Sequence, residues 1–271
     1  MGQLLPLAFC LLTRKNRLIY QEMFSAIKYQ AQSREIGLSV TIFRADFEDA
    51  CIKAFVDVFP DNTVECCFFH FAQAHWRKIG DLGLRPLYIE HEEIALSLRM
   101  FTALTFVPLE HVERVFDELK ENAPDVISEF IPYMEDTYVG GFRYVSKQKP
   151  DGTMVFKRHV RPPMFPPQLW NVNSRTLSDE PRTNNHLEGW HRRFKSILDK
   201  HHPNIFEFID KLQGEHARTE MIIQQLIGGG APQEARPKIK KMNEKVQRVV
   251  QDFGKRSSEE FLRGIAYSIR Y

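Results

Sequence analysis

The feature that most constrains the fold of this chain is an alternation of strand-like and helix-like segments over residues 1–81. Runs of β-branched and aromatic residues are each followed by segments whose apolar residues recur three and four positions apart. Because alternating strands and helices favour a sheet covered by helices, this order predicts an α/β fold. The strand-like segments lie at residues 4–12, 38–46 and 64–67, and the helix-like segments lie at residues 17–34, 47–58 and 71–79.

The remainder of the chain has mainly helical patterning. Residues 82–138 show apolar residues at helical spacing, whereas a turn motif at residues 149–152 lies between two short apolar runs and predicts a β-hairpin. Prolines within residues 162–167 form a stiff connector, and the last segment is helical apart from a break at residues 228–232. The predicted domains are a core at residues 1–81, a helical insertion with the hairpin and the proline-rich connector at 82–180, and a helical C-terminal segment at 181–271.

Asp46 stands at the carboxyl end of the second predicted strand. Catalytic side chains collect at this end of the strands in open α/β sheets, so the position is suited to chemistry. The alternative is that Asp46 caps a helix beginning near Phe47, because short acidic side chains accept hydrogen bonds from free helix N–H groups. The residues alone leave both interpretations open.

A second carboxylate, Glu188, lies in the first turn of a helix predicted from about residue 183. A carboxylate close to the apolar face of a helix needs a partner, which can be a cation, a metal ion or an arginine. The alternative is a capping carboxylate with ordinary charge pairing along the helix. The apolar stripe consists of Leu187, Trp190, Phe194 and Ile197, and the neighbouring flank carries Glu188, His191, Arg192 and Lys195.

Between the two acids, Cys67 and His70 have the spacing of metal ligands. A structural zinc site needs about four ligands, and the sequence shows no second pair of this kind. The favoured interpretation is a buried cysteine and a hydrogen-bonded histidine that shape a neighbouring acidic pocket. A weaker alternative is an unrelated metal-dependent hydrolase that uses His70, His75 and His191.

In this order, these elements resemble the transposase domain of Mutator-like elements, the MULE group, which are DDE-type recombinases with an RNase H-like core. The resemblance implies that Asp46 is the second catalytic aspartate and Glu188 the catalytic glutamate, with the family's C-x-x-H signature at Cys67 and His70. It is carried by residues 5–9 with Tyr20, by 45–48, by 67–71 with Gln73 and Arg77, by 169–172, and by 182–185 with Glu188 and His191.

The resemblance also implies a chemistry and its partners. Asp46 and Glu188 are expected to bind Mg²⁺ or Mn²⁺ for DNA cleavage and strand transfer by a two-metal mechanism, supported by Cys67, His70 and His191. DNA phosphates are expected to contact three cations on the same helix: Arg192, Arg193 and Lys195. A homo-oligomer and a nuclear location are compatible with this function.

One departure from the family pattern concerns the first catalytic aspartate, which in such enzymes lies on the first strand of the core. No aspartate precedes Asp46 in this chain. The expectation is therefore an N-terminally truncated, partial RNase H-like core without its first strands, with little or no nuclease activity. The alternatives are a fragment of a transposase and a domesticated, catalytically dead module that binds DNA or protein in the nucleus.

The composition limits the partners and the cellular compartment that this chain suits. A net charge of +2 is too small to indicate nucleic-acid binding by itself. The four cysteines include an adjacent pair and suit a reducing compartment, not a secreted disulfide framework. The apolar residues 4–12 lack a basic leader and are too short for a membrane span, so we expect a buried strand there and no membrane partner. Trp76, Trp170 and Trp190 are predicted to be core anchors.

Overall fold

The structure is a computed structural model that describes residues 5–151, 153–183, 185–198, 203–231 and 237–269. Helices dominate and the strands are short, so this is a mixed α/β fold rich in helix. The α/β prediction is confirmed at that level. Across the described ranges, none of the helices combines the length and the apolar character needed to cross a membrane.

The described helices and strands follow one another in the predicted order from residue 17 onwards. The helices are α1 (Arg17–Gln32), α2 (Asp49–Val58), α3 (Phe68–Asp81), α4 (Arg85–Glu90), α5 (Glu92–Ala103), α6 (Val112–Glu121), α7 (Phe130–Met134), α8 (Pro167–Trp170), α9 (Asn173–Leu177), α10 (Asn185–Leu198), α11 (Ile205–Ile227), α12 (Pro237–Gln251) and α13 (Ser258–Ala266). The strands are β1 (Ile42–Ala45), β2 (Thr63–Cys66), β3 (Gly141–Gln148) and β4 (Met154–Arg161).

The chain divides into two compact units, each assembled from separated segments. The first unit comprises Met1–Ser39, Asp49–Asp61 and Thr183–Lys240, and the second comprises Val40–Glu48, Asn62–Arg182 and Lys241–Tyr271. The three domains predicted from the sequence stay a prediction.

In the first unit, aromatic rings and one ion pair hold α1 against α2. The ring of Phe24 meets those of Phe55 and Phe59 edge-on, with centroids 5.4 Å and 6.5 Å apart. The guanidinium of Arg17 donates two hydrogen bonds of 2.7 Å to the carboxylate of Asp57. Such edge-to-face pairs add to the free energy gained from burying the rings, so this helix pair is a stable element of the unit.

In the second unit, β1 and β2 pair in parallel, from Ile42 opposite Thr63 to Ala45 opposite Cys66. Parallel pairing aligns the carboxyl ends of both strands at one edge of the sheet. Because α3 begins directly after β2, the amino end of that helix lies at the same edge.

An aromatic cluster forms the core of the second unit. The ring of Phe71 packs against Tyr138 and Trp170, with centroid distances of 4.6 Å and 5.2 Å. The indole N–H of Trp170 donates to the carbonyl oxygens of Tyr138 and Phe165, at 3.1 Å and 3.0 Å. Trp170 is fully buried, which confirms its predicted role as a core anchor.

The predicted hairpin is confirmed, and each of its strands is longer than the sequence pattern indicated. β3 and β4 pair antiparallel from Gly141 opposite Arg161 to Gln148 opposite Met154. At the turn, the backbone N–H of Thr153 donates to the Asp151 carboxylate at 2.9 Å. Aspartate accepts from the backbone two residues ahead in many tight turns, which explains why the turn motif was informative.

The strand predicted at residues 4–12 is wrong over its described part, because residues 5–12 form no strand. Pro6 has no N–H to donate to a sheet, and Leu7 and Leu11 are 89% and 59% exposed. Phe9 stacks on Trp190 instead, with ring centroids 5.4 Å apart. An apolar run forms a strand only where a neighbouring strand can pair with it, and the local pattern does not report that neighbour.

Candidate active site

The parallel strand pair of the second unit brings two predicted site residues to one edge. Asp46 follows the last residue of β1 and Cys67 follows the last residue of β2. The backbone N–H of Cys67 donates to the carbonyl oxygen of Ala45 at 3.0 Å, which continues the ladder beyond the strands. Asp46 and Cys67 therefore emerge side by side.

The amino end of α3 adds His70 to this edge. Cys67 occupies the N-cap position, but its side chain makes no capping hydrogen bond. The N–H of Phe68, which has no partner within the helix, donates to the carbonyl oxygen of Arg182 at 3.0 Å. His70 lies in the first turn of the helix, and its Nδ1 is 2.8 Å from Oδ1 of Asp46. The structure thus brings Asp46, Cys67 and His70 together.

The Asp46 carboxylate changes the ionisation of His70. Its hydrogen bond, followed by that of Cys67, raises the pKa of His70 to about 10. The histidine is therefore an imidazolium at neutral pH and forms an ion pair with Asp46. The side chains of His70 and Asp46 are 27% and 52% exposed, so the pair can be reached from solvent, whereas Cys67 is buried.

The position of Asp46 depends on its neighbour Phe47. The ring of Phe47 packs against Phe71, Tyr138 and Phe165, with centroids 5.9 Å, 5.7 Å and 5.1 Å away. This packing anchors the chain directly after Asp46 in the aromatic core. The helix that follows begins only at Asp49, so the partner of the Asp46 carboxylate is His70 and the helix-cap interpretation is not favoured.

The other acid on these strands, Glu65, is neutralised by two arginines. Oε2 of Glu65 is 2.8 Å from Nε of Arg44 and 3.4 Å from Nη1 of Arg175. Arg44 also contacts Glu180 at 2.9 Å, and Arg175 donates to the carbonyl oxygen of Cys66 at 3.2 Å. Sequence reasoning missed this network, because Arg175 and Glu180 are distant from β1 and β2 along the chain and no local pattern links them.

The donor groups at this edge do not compose a divalent-cation site by themselves. Asp46 is paired with an imidazolium and Glu65 with two guanidinium groups, whereas Mg²⁺ and Mn²⁺ require several free oxygen ligands. Within the described ranges, no group of three or more His, Cys, Asp and Glu side chains has an arrangement that could hold a metal ion. The assignment of Asp46 and Glu188 as metal ligands stays a prediction, because the side chain of Glu188 lies outside the described part of the structure.

The predicted residues after Glu188 lie on α10, in the first unit, whereas Asp46 belongs to the second unit. His191, Arg192 and Lys195 are exposed on this helix. Their roles as a supporting histidine and as DNA contacts stay predictions. Asp46 and Glu188 belong to different units, so their meeting at one site stays a prediction as well.

Arg193, the third predicted DNA contact, is engaged inside the first unit. Its guanidinium pairs with Oε2 of Glu215 on α11, and the indole N–H of Trp190 donates to the same oxygen at 2.8 Å. Glu215 is only 4% exposed, so this carboxylate needs both donors. The ring of Trp190 also stacks on Phe194, with centroids 5.0 Å apart. Arg193 therefore ties α10 to α11, while the neighbouring Arg192 is exposed.

His75 differs from the other histidines of the hydrolase alternative, because it is fully buried. Its Nδ1 lies 2.8 Å from Oγ1 of Thr102, and its ring packs against Phe71 with centroids 4.2 Å apart. Burial lowers the pKa of His75 to about 3, so it is neutral at physiological pH. This histidine belongs to the core, which leaves the alternative without one of its three residues.

Comparison with known proteins gives one match. The family model described as the MULE transposase domain matches residues 1–74 of this chain. The matched segment contains Asp46, Cys67 and His70 and ends before α10. Searches of curated proteins and of solved structures gave no match. The resemblance stated from the sequence is confirmed for this segment.

Proposed function

We propose that this chain derives from a Mutator-like transposase and acts on DNA. The observation that carries the proposal is that the matched residues 1–74 include Asp46, Cys67 and His70, which lie together at one sheet edge with Asp46 and His70 2.8 Å apart. A carboxylate at the carboxyl end of a parallel strand is the position in which α/β folds display catalytic groups. Three motif residues in one such position are hard to explain by helix capping alone.

The proposal includes an RNase H-like origin for the parallel pair β1 and β2. In this interpretation the helices from α4 to α7 and the hairpin are an insertion between Asp46 and the helix that bears Glu188. The mixed α/β architecture and the long helical stretch after α3 support it. DNA is the partner, and self-association and a nuclear location are parts of the same proposal.

As this polypeptide, the protein is proposed to bind DNA without cutting it. Phosphodiester cleavage by two metal ions needs carboxylates whose oxygens are free to bind both ions. Here Oδ1 of Asp46 is engaged by His70, and Oε2 of Glu65 is engaged by two arginines. The Mg²⁺ or Mn²⁺ expected of the family would supply Lewis-acid stabilisation of the reacting phosphate, but the described residues do not provide its centre.

A second candidate is a domesticated module that has lost transposition and acts in the nucleus by binding DNA or protein. The contact between Nδ1 of His70 and Oδ1 of Asp46 favours it, because that carboxylate oxygen is already engaged within the protein. Both candidates predict a function without catalysis by this chain. They differ in whether the acidic residues still bind a divalent ion.

The catalytic part of the proposal is tested by incubating the purified chain with supercoiled plasmid and Mg²⁺ or Mn²⁺. We expect no nicking above that of the Asp46→Asn and Glu188→Gln variants. Robust nicking that either substitution abolishes would overturn the proposal of inactivity and assign the two acids to catalysis.

Mn²⁺ binding separates the two candidates. A transposase remnant should bind Mn²⁺ weakly, with binding lost in both Asp46→Asn and Glu188→Gln, because the two acids would share the ion. A domesticated module should show no Mn²⁺ binding that depends on these residues. Calorimetric titration of the full chain and of both variants measures the difference.

A further inference from the structure

The hairpin formed by β3 and β4, here called the ribbon (Gly141–Arg161), has a strongly positive charge. It contains six lysine and arginine residues against one aspartate, a net charge of +5. The whole chain has a net charge of only +2, so the residues outside the ribbon together carry −3. The weak overall charge of the protein therefore conceals a local basic surface.

The ribbon is exposed to solvent on both faces. Among its described side chains between residues 142 and 160, Val155 is half-buried and all the others are exposed. They include large apolar groups, since Phe142, Phe156 and Val160 are 49%, 66% and 77% exposed. The described positions of both faces are therefore accessible to a partner.

The pairing register places most of the basic positions on one face. Residues on a strand alternate between faces, and directly paired residues share a face. Arg143 pairs with His159, and Val145 pairs with Lys157. Positions 143, 145 and 147 of β3 therefore share one face with 155, 157, 159 and 161 of β4, whereas Phe142, Phe156 and Val160 share the opposite face with position 158.

The root of the ribbon is firmly attached to the second unit. Arg161 lies 2.6 Å from Asp136 and 3.5 Å from Glu135. The chain enters through Gly140 at a φ of +87°, and a Cβ there would lie 2.9 Å from Cδ of Pro163. Only glycine is compatible with both the positive φ and this close approach. The base of the ribbon is thus tied to the second unit by ion pairs and by a close backbone approach.

We propose that the basic face of the ribbon docks on duplex DNA. The inference rests on the proposed function and names a surface through which that function contacts DNA. The major groove, about 12 Å wide, admits a two-stranded ribbon, and cations of the ribbon can then meet the phosphates on its two sides. Strands of this length span about 26 Å, so cations near both ends can reach the two phosphate chains that border the groove.

Duplex DNA is favoured over a single strand because of the division between the faces. Single-strand binding combines stacking on aromatic rings with cations that follow the same strand. In the ribbon, Phe142 and Phe156 share their face with one basic position, 158, whereas positions 143, 147 and 157 lie on the other face, so most of the cations would not serve one strand together with the rings. Phosphate contact by the basic face does not require the rings.

The experiment measures binding of a fluorescent duplex, and of a single strand of the same sequence, to the full chain over a range of salt concentrations. The ribbon variant combines Arg143→Gln, Lys147→Gln and Lys157→Gln. We expect it to bind the duplex about tenfold or more weakly. The plot of log K against log salt should become less steep, by about 0.9 for each phosphate that the variant no longer neutralises.

A matched control removes the same charge from exposed positions elsewhere, by Arg14→Gln, Arg34→Gln and Lys53→Gln, and should change affinity and slope much less. A second control, Phe156→Ser, alters the apolar face and should leave duplex binding unchanged. Loss of binding in Phe156→Ser with retention in the ribbon variant, or preference for the single strand, would overturn the proposal. Circular dichroism checks that every variant is folded.

The same measurements distinguish a protein that binds no DNA from one that binds DNA through another surface. If the wild-type chain binds no DNA even at low salt, both this inference and the proposed function are overturned. If the wild type binds duplex with an affinity that the ribbon variant retains, while Arg192→Gln with Lys195→Gln weakens it, DNA binding stands and the ribbon is excluded as its site.

Discussion

The first turn and the middle of α3 each hold a histidine, and the two environments shift the pKa of the imidazole in opposite directions. In the first turn, His70 pairs with Asp46 at 2.8 Å, and this contact raises the pKa of its imidazole to about 10. Further along the helix, His75 is fully buried, and desolvation lowers the pKa of its imidazole to about 3. The first histidine is charged at neutral pH and the second is neutral, because a carboxylate stabilises the charge that an apolar core penalises.

The face of the helix, and not the residue type, decides what a histidine can do here. Five positions along an α-helix correspond to a rotation of about 140°, which takes His70 to the strand edge and His75 into the core. The edge holds a solvent-accessible ion pair. The core holds a packing residue whose proton state is coupled to folding.

The largest expected effect follows from truncating the buried histidine. His75→Ala removes a ring that packs against Phe71 and Phe130 and hydrogen-bonds Thr102, so the free energy of unfolding should fall by about 3 kcal/mol. His70→Ala removes a half-exposed ion pair and should cost about 1 kcal/mol or less. Urea denaturation measures both, and equal losses would contradict the assignment of one to the core and the other to the edge.

The next effect is a sensitivity to acid that His75 confers. Its pKa is lower in the folded state than the ordinary value of 6.5, so unfolding takes up a proton as the pH falls. The contribution of neutral His75 to the free energy of unfolding is fully present above pH 6.5. Roughly 2 kcal/mol of it should be lost between pH 7 and 5. His75→Phe has no titrating group and should lose correspondingly less. Denaturation midpoints at the two pH values test this, and an unchanged acid loss in the variant would refute it.

The ion pair at the strand edge should titrate with the opposite sign. The raised pKa of His70 stabilises the fold fully below pH 6.5, and this contribution should disappear as the pH rises towards 10. Asp46→Asn removes the main cause of the shift and should return the pKa of His70 towards its ordinary value. NMR titration of the imidazole resonances measures it, with His75, which should remain neutral from pH 5 upwards, as the internal reference. If the pKa of His70 were the same in Asp46→Asn as in the wild type, the carboxylate would be excluded as the cause of the shift.

The smallest effect is expected from Cys67. Its hydrogen bond contributes to the raised pKa of His70 after that of Asp46. Cys67→Ala should therefore lower the pKa of His70 by less than Asp46→Asn does in the same NMR titration. A larger shift from Cys67→Ala would reverse the order of the two causes.

Much of the local structure could be predicted from the sequence. The alternation of strands and helices after residue 17, the helical stretch beyond α3 and the hairpin around Asp151 were all present as patterns between near neighbours. The strand expected at residues 4–12 failed over its described part, since a strand needs a partner that the local pattern does not contain. The carboxylate at the end of β1 was recognised because strand ends are themselves local features.

The periodicity of most elements, the turn of the ribbon and the order of Asp46, Cys67 and His70 can therefore be read from the sequence. These depend on backbone preferences and side-chain spacing over a few residues. The opposite pKa shifts of His70 and His75, and the pairing of Glu65 with Arg175, follow from tertiary contacts. Desolvation and charge pairing depend on groups brought together from distant parts of the chain, and their spacing in the sequence does not report that meeting.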